Sequence, residues 1–466
     1  MPGSRLTALD HSFLQLETHT THMHVGACAV FEGPAPAYDD LVAAVENRLH
    51  LVPRYRQRLA EVPLHQGRPV WVEDPHFRLP FHVRHTALPQ PGSDDQLRRL
   101  AGRIFSQALD RGRPLWEMWL VEGVHDHQFA VLSKTHHALI DGVSGLDIAS
   151  VLFDTEPVPA ATGPGPRWAP RPLPSAAQLL ADALTERVTR PFDVLDTIGT
   201  LARAPGGLLE RASSALAGVG ALTSAGLEPA PRTPFNVPIG PHRRFTWTEG
   251  SLEAFRRVKR AHDATINDVI LSVVAGGLGR HLRRREFSTD GLVLKALVPV
   301  SVRDPGERGV LGNRIAAMWA PLPVGVADPL QRLGIIAEAM DGVKRSGQAV
   351  GAQTLSQLAG FASPTLVAQA ARLQARQRLF NLVVTNVPGP QQPLYLLGHR
   401  LRAIYPLVPL AANTALGVAA LSYHGRVHFG LNADYDALAD LDSLAADLEA
   451  EVVAITSESD ARATIS

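Results

Sequence analysis

The residues of this chain best suited to chemistry are two adjacent histidines and a nearby aspartate in Lys134-Thr-His-His-Ala-Leu-Ile-Asp-Gly-Val-Ser-Gly145. Histidine has an ordinary pKa of about 6.5, which makes it a usable proton acceptor near neutral pH, and a carboxylate close by can fix its ring or its loop. The apolar run Phe129-Ala-Val-Leu-Ser133 predicts a buried strand just upstream. Gly142 to Phe153, with apolar Val143, Leu146, Ile148, Ala149 and Leu152, predicts a helix just downstream. His136 and His137 then lie at a strand-to-helix junction, a loop held by rigid elements on both sides. Two other readings of the same residues stay open. The pair can simply pack against or cap the turn, or His and Asp can bind a metal. Metal is the weaker reading, because a zinc site usually takes three protein ligands at a distinct spacing, and adjacent side chains on a persisting strand point to opposite faces.

The elements that must hold this junction belong to a chain of 466 residues, long enough for two or three domains, of which two large ones are expected. Hydrophobic content of 45% against 19% charged residues suits a folded, globular protein. Lys plus Arg and Asp plus Glu each number 45, so no overall field attracts nucleic acid or an anionic membrane. Cys28 is the sole cysteine, which excludes an intramolecular disulfide and a cysteine metal cluster and fits a reducing cytoplasm. Asp10 interrupts the first ten residues where a signal peptide needs an apolar centre. No window reaches the roughly 18 uninterrupted apolar residues of a membrane span. The Ala-, Gly- and Ser-rich stretch from Ala212 to Leu227 comes nearest.

Residues 1–155 read as a mixed region with a strand at Met23–Phe31 and helices at Tyr38–Leu51 and Ser93–Ala108. Prolines at 157, 159, 164, 166, 170, 172 and 174 block helix and central strand, which marks a linker from Glu156 to Ser175. Surface helices are expected from Ser175 to Leu227, so 156–234 forms the connection. Residues 235–466 give helices at Thr265–Arg284, Pro329–Ser346, Thr354–Phe380 and Asp440–Thr456. The same region gives strands at Leu292–Val300, Arg314–Leu322, Leu382–Thr385, Ala415–His424 and Arg426–Asn432, with His424-Gly425 as a hairpin turn. Helices and strands intermingle in both halves, so the class is α/β or α+β with mixed sheets.

Further short motifs are ambiguous when taken singly. Arg113-Pro-Leu-Trp116 is a strand entry with an aromatic core residue. Thr265-Ile-Asn-Asp268 opens a helix, so Asn267-Asp268 reads equally as a cap or as a functional pair in which the Asn267 amide donates to an oxyanion and Asp268 supports it. Asn386-Val-Pro-Gly-Pro390 is a turn after a strand, and Arg243-Arg244 after His242 reads either as a contact for a CoA phosphate or, as exposed arginine pairs usually do, as solvated surface. Leu9-Asp-His-Ser-Phe-Leu14, Met23-His-Val-Gly26 and Pro299-Val-Ser-Val-Arg303 with Gly312-Asn313 complete the set.

In order and across nearly the whole chain, these pieces and the HHALIDG segment resemble the bacterial wax ester synthase/diacylglycerol acyltransferase family. That family is a branch of the CoA-dependent acyltransferase superfamily, with chloramphenicol acetyltransferases, carnitine acyltransferases, plant acyltransferases and condensation domains. The resemblance implies two chloramphenicol acetyltransferase-like domains with a tunnel between them. It implies an acyl-CoA-dependent O-acyltransferase that forms triacylglycerol from diacylglycerol, or wax esters from fatty alcohols, without a covalent acyl-enzyme. The absence of a Gly-x-Ser-x-Gly elbow from the sequence agrees.

By the same resemblance His137 is the general base and His136 supports the loop. Asp141, beside Gly142, holds that loop by pairing with an arginine, for which Arg303 is a candidate. Asn267 is the candidate oxyanion donor with Asp268 as support, and Pro114, Leu115, Trp116, Asn386, Pro388 and Gly389 shape the substrate channel. The apolar helices at 212–227 and 354–380 either pack in the core or build an acyl groove. No metal and no cofactor beyond the acyl-CoA co-substrate are expected, and the protein is expected in the cytoplasm, soluble or peripheral at the inner membrane face or lipid droplets. Two rivals remain: a condensation-like acyltransferase that uses a carrier-bound thioester, and a lipid-binding or droplet protein that kept the fold and lost the reaction.

Overall fold

The computed structural model describes residues 4–139, 151–158, 168–186, 229–301, 315–345 and 379–465. The strands are β1 (Ser4–Arg5), β2 (His24–Glu32), β3 (Gln57–Ala60), β4 (Val70–Glu73), β5 (Val83–Ala87), β6 (Trp116–Val124), β7 (Gln128–His136) and β8 (Arg243–Ser251). They continue with β9 (Val293–Ser301), β10 (Ile315–Pro323), β11 (Leu382–Pro388), β12 (Tyr395–Leu396), β13 (His399–Leu407), β14 (Leu416–Tyr423) and β15 (Arg426–Asp434). The longer helices are α1 (Ala8–Leu16), α2 (Tyr38–Arg48), α3 (Asp94–Phe105), α4 (Leu252–Ala261), α5 (Ile266–Arg284), α6 (Pro329–Arg345) and α7 (Leu441–Ile465).

Two six-stranded mixed sheets carry the architecture. The first runs β12-β13-β2-β7-β6-β5, the second β10-β9-β11-β14-β15-β8, and β1, β4 and β3 form a small third sheet. Side chains of a strand alternate between faces, and in the first sheet both faces are apolar. Ala29, Phe31, Phe129 and Val131 enter one core with α2, while Cys28, Val30, Ala130 and Leu132 enter another with α3. That second core also takes Phe245 and Trp247 from β8 and Tyr405 and Leu407 from β13, so the two halves share it. The second sheet packs against α5, which is buried along most of its length, and against α6 and α7. Within that layer Arg332 and Glu451 form an ion pair about as buried as the apolar side chains around it.

The halves are interleaved. β12 and β13 come from residues 395–407, yet β13 lies antiparallel beside β2 in the first sheet. A cut at residue 235 therefore separates strands that pair. The sheets approach so closely here that a Cβ on Gly430 would stand 1.8 Å from the Pro406 carbonyl oxygen. Relieving such a clash by backbone shift costs about 1–3 kcal/mol. Gly430→Ala is expected to lower the thermal unfolding midpoint measurably, with no change in the binding of small ligands remote from β13.

Most expected elements appear where the residue patterns place them, and the His424-Gly425 turn joins β14 to β15 with both residues at positive φ. The C-terminal helix, expected to stop at Thr456, continues to Ile465. Its polar last turns find partners: Ser459 contacts His262 at 3.3 Å, Asp460 pairs with Arg257 at 3.2 Å and Arg462 with Asp328 at 3.0 Å. Of the Pro-rich stretch, the described end packs onto the first half, with Trp168 edge-on to Phe77 and Arg171 paired with Glu73 at 3.0 Å. Residues 176–186 are helical. The helices expected at 354–380 and 212–227, and that at 142–153 apart from its last turn, lie outside the described residues.

Arg243 corrects the reading of Arg243-Arg244 as solvated surface. It is 5% exposed, and its guanidinium donates to the carbonyls of Gly240 (2.7 Å), His242 (2.8 Å) and Thr20. Its backbone N–H donates to the Ser106 hydroxyl at 2.8 Å, which pins β8 to the end of α3. Three carbonyl acceptors and Asp434 at 4.0 Å satisfy a guanidinium charge that the sequence pattern places in water. Among the described residues no helix is long and apolar enough to cross a membrane.

Candidate active site

The site is built where β7 leaves the first sheet. β7 pairs with β2 up to His136 opposite His24, and with β6 up to Thr135 opposite Trp116, so both neighbours fix where the strand ends. The His136 N–H donates to the Leu115 carbonyl at 2.9 Å and the His137 N–H to the Met23 carbonyl at 2.8 Å. Leu139 N–H closes the turn onto the His136 carbonyl at 2.8 Å. The segments Arg113–Trp116 and Met23–Gly26 thus hold the histidine turn through their backbones.

His136 is 1% exposed, and its Nδ1 accepts the Ala138 N–H at 3.0 Å. A nitrogen that accepts carries no proton, so the neutral ring is protonated at Nε2. That nitrogen faces the Glu17 carboxylate at 3.6 Å, beyond ordinary hydrogen-bond length, so the attraction is electrostatic rather than a formed bond. Arg111 binds the same carboxylate at 2.7 and 3.0 Å, and the Met23 N–H donates to its other oxygen at 3.3 Å. Burial alone would raise the Glu17 carboxyl, but His136 and Arg111 outweigh it and hold the group down at about 2. Glu17 is therefore an anion at every working pH.

His137 is half-buried and stacks on Phe13 with ring centroids 3.9 Å apart and planes 27° from parallel. Burial pushes its pKa down to about 4; its own backbone carbonyl pulls upward and His136 downward. Nδ1 is enclosed and lies against that carbonyl without the geometry of a full hydrogen bond. The result is an imidazole that is neutral at pH 7.

Beneath the turn, Lys134 is fully buried and donates to the carbonyls of Ile104 (3.0 Å) and Gln107 (2.7 Å) and to Glu117. The last carbonyls of a helix are unpaired and carry partial negative charge, so Lys134 ties the end of β7 to the end of α3. His24 donates from Nε2 to the Phe105 carbonyl at 2.9 Å and stacks with His22 at 5.6 Å. Burial, first among the causes, lowers both of their pKa values. This corner is lined with neutral imidazoles.

The other expected site residues divide. Leu115 and Trp116 are each 1% exposed; Trp116 donates its indole N–H to the Tyr55 carbonyl at 2.8 Å and stacks on His82 at 4.8 Å. Pro114 is buried beside them, and the Leu115 carbonyl is the direct contact of this segment with the histidine turn among the described residues. Asp268 is likewise committed. It forms a capping box with Thr265 (2.8 and 3.2 Å) at the start of α5 and is 2% exposed. Asn267, next to it, is half-buried and makes no side-chain hydrogen bond among the described residues.

Asn386 and Pro388 end β11, and Gly389 lies against β14, where a Cβ would meet the Ser422 carbonyl oxygen at 2.4 Å. These residues belong to the second sheet, and no hydrogen bond joins them to the histidine turn among the described residues. Asp141, Gly142, Arg303, Gly312 and Asn313 lie outside the described residues. Glu17 and Arg111 carry no pattern that singles them out in the sequence, and Phe13 falls within the Leu9-Asp-His-Ser-Phe-Leu14 motif with nothing there to mark it as a stacking partner. Among the described residues no group of three or more His, Cys, Asp or Glu side chains is placed to hold a metal ion.

Two mixed six-stranded sheets joined by an exchanged strand, with a neutral histidine where a central strand of the first sheet ends, define a CoA-dependent acyltransferase fold. A starter condensation domain of rhizomide synthetase, solved with C8-CoA and Leu-SNAC, shares this fold: TM-score 0.59, 15% identity, 98% of this chain and 94% of that one covered. The model of the wax ester synthase/diacylglycerol acyltransferase catalytic domain matches residues 6–270, and that of the WS/DGAT C-terminal domain matches 311–456. The probable diacylglycerol O-acyltransferase tgs1 of Mycobacterium tuberculosis is 35% identical over 97% of this chain and 96% of its own length. The probable diacylglycerol O-acyltransferase tgs2 of the same organism is 34% identical over 95% and 96%. The wax ester synthase/diacylglycerol acyltransferase of Marinobacter aquaeolei VT8 superposes with TM-score 0.68 at 28% identity, covering 98% of this chain and all of that one. The chain belongs to the wax ester synthase/diacylglycerol acyltransferase family, and it is an acyltransferase.

Proposed function

We propose that this enzyme transfers a long-chain acyl group from acyl-CoA to the free hydroxyl of diacylglycerol, giving triacylglycerol and CoA, and that fatty alcohols serve as a second acceptor class. The observation that carries the reading is His137: neutral, half-buried, stacked on Phe13 and held by backbone on both sides, in a chain that aligns nearly end to end with diacylglycerol acyltransferases. In this role Nε2 takes the hydroxyl proton as the alcohol oxygen attacks the thioester carbonyl. The C–S bond then breaks, and the imidazolium returns the proton to the departing sulfur, so one ester and one thiol form without an acyl-enzyme. An imidazole with a pKa near 4 is a weak base in the empty site. The developing oxyanion is what raises its proton affinity, so proton transfer is coupled to attack rather than preceding it.

The amide of Asn267, unbonded among the described residues, is assigned as an oxyanion donor, with Asn386, Pro388 and Gly389 at the channel wall. Asp141 and Gly142 hold the loop beyond His137. The working division of the chain is 1–155, 156–234 and 235–466, with β13 as an exchanged element. The enzyme works in the cytoplasm, meeting its lipid acceptors at the inner membrane face or a droplet surface, and needs no cofactor beyond acyl-CoA.

Labelled oleoyl-CoA supplied with diacylglycerol and hexadecanol together, followed by separation of neutral lipids, tests this. Triacylglycerol is the expected major product. Turnover confined to carrier-bound thioesters would replace the reading with a condensation-like one, and lipid binding without any ester product would make the protein a binding homologue.

A further inference from the structure

We propose that Glu17 is a positioning residue for the reaction, orienting the His137 imidazole through two separate arms. The proposal rests on His137 being the base. Glu17 follows α1, and its N–H donates to the Phe13 carbonyl at 3.2 Å, so the residue that stacks on His137 and the carboxylate are held as one unit.

One arm runs through the backbone. Glu17 Oε1 accepts the Met23 N–H at 3.3 Å, and the carbonyl of the same residue accepts the His137 N–H at 2.8 Å. The other runs through a side chain. Glu17 Oε2, anchored by Arg111 at 2.7 Å, faces His136 Nε2 at 3.6 Å, which favours the tautomer with its proton on that nitrogen. Only that tautomer leaves His136 Nδ1 free to accept the Ala138 N–H at 3.0 Å. The Ala138 N–H fixes the turn that carries His137, and with it how the His137 ring is set on Phe13. Arg111 also donates to the Leu14 carbonyl at 2.8 Å, so the anchor is itself held.

Removing the charge acts on orientation, not on the encounter with substrate. Glu17→Gln keeps an acceptor for the Met23 N–H but loses the arginine pair and the pull on His136. Glu17→Ala loses both arms. The expected result is a fall in kcat on the order of 10-fold for Glu17→Gln and 100-fold for Glu17→Ala, the range seen when partners that orient a functional histidine are removed. KM for acyl-CoA should stay within about 2-fold, because a group that acts only on the transition state leaves ground-state binding alone.

Selective 15N labelling of histidine supplies a readout in the ligand-free enzyme. The wild type should show His136 protonated at Nε2 and His137 with an unprotonated Nε2, and Glu17→Gln should show each ring exchanging between tautomers. An unchanged kcat with unchanged ring signals overturns the proposal. So does a loss of activity matched by a rise in KM and a drop in melting temperature with tautomers intact, since that is a purely structural role. If wild type forms no ester at all, the reading of His137 as base fails, while the ring signals still decide whether Glu17 sets the tautomers.

Discussion

His137→Ala is expected to lower kcat by about 10² to 10⁴-fold, the usual contribution of a positioned general base, with little change in thermal stability. The ring is half-buried and makes one stacking contact, with Phe13, while the hydrogen bond to Met23 comes from the backbone and survives the substitution. Single-turnover measurements with saturating acyl-CoA isolate the chemical step; retention of more than about a tenth of wild-type kcat would remove His137 from the role, because that loss falls below the range for a base. The pH profile gives a second signature. A base is silenced by protonation, so kcat/KM should fall on the acid side, with an apparent pKa near 4 rather than near 6.5. An acid limb centred at 6.5 would mean the imidazole is solvated. Folding works in the same window with a definite sign. Between about pH 6.5 and 4 the unfolded chain protonates this histidine and the folded chain does not, so acid destabilises the fold there and neutral pH does not. Activity in that range is therefore best read by brief pH jumps.

Lys134→Met should cost about 3–5 kcal/mol of stability, the range for breaking a buried ion pair from one side. The ammonium is fully buried and meets three acceptors: two carbonyls at the end of α3 and the Glu117 carboxylate. A methionine fills the volume but removes the donor to both carbonyls and leaves the Glu117 carboxylate to Arg84, which reaches it at 3.2 Å from a more exposed position. Urea unfolding should show a lower midpoint at unchanged slope. The double variant Lys134→Met with Glu117→Gln should be less destabilised than the sum of the two single changes, because it removes the stranded charge along with its partner. Strict additivity would mean the pair is not coupled.

The sequence carried the site further than it carried the fold's connectivity. The histidine turn was legible because apolar residues 129–133 and the HH pair give opposite signals side by side, and the structure places them as strand and turn. α5 was legible from Thr265, a cap residue, through an unbroken apolar run. β13 was not: His399–Leu407 carries arginines at 400 and 402 and a proline at 406, no strand is expected from it in the sequence, and its place beside β2 is set by tertiary pairing. Glu17 and Arg111 were invisible for a similar reason. They lie 94 positions apart, and only the packing of α1 against the segment after α3 turns two surface-type residues into a charged clamp. Trp116 was legible as an aromatic core residue at a strand entry, and its side chain is buried there with its indole N–H on the Tyr55 carbonyl.

The exchanged strand also sets an order of assembly during synthesis. β2 emerges among the first residues made, but its partner on one side, β13, leaves the ribosome only after residue 407. At typical elongation rates the intervening chain takes tens of seconds to appear. Through that interval the first sheet exposes an open edge at β2, the feature that invites pairing with other chains. Chaperone protection early in translation, rather than late, is what this topology asks of the cell.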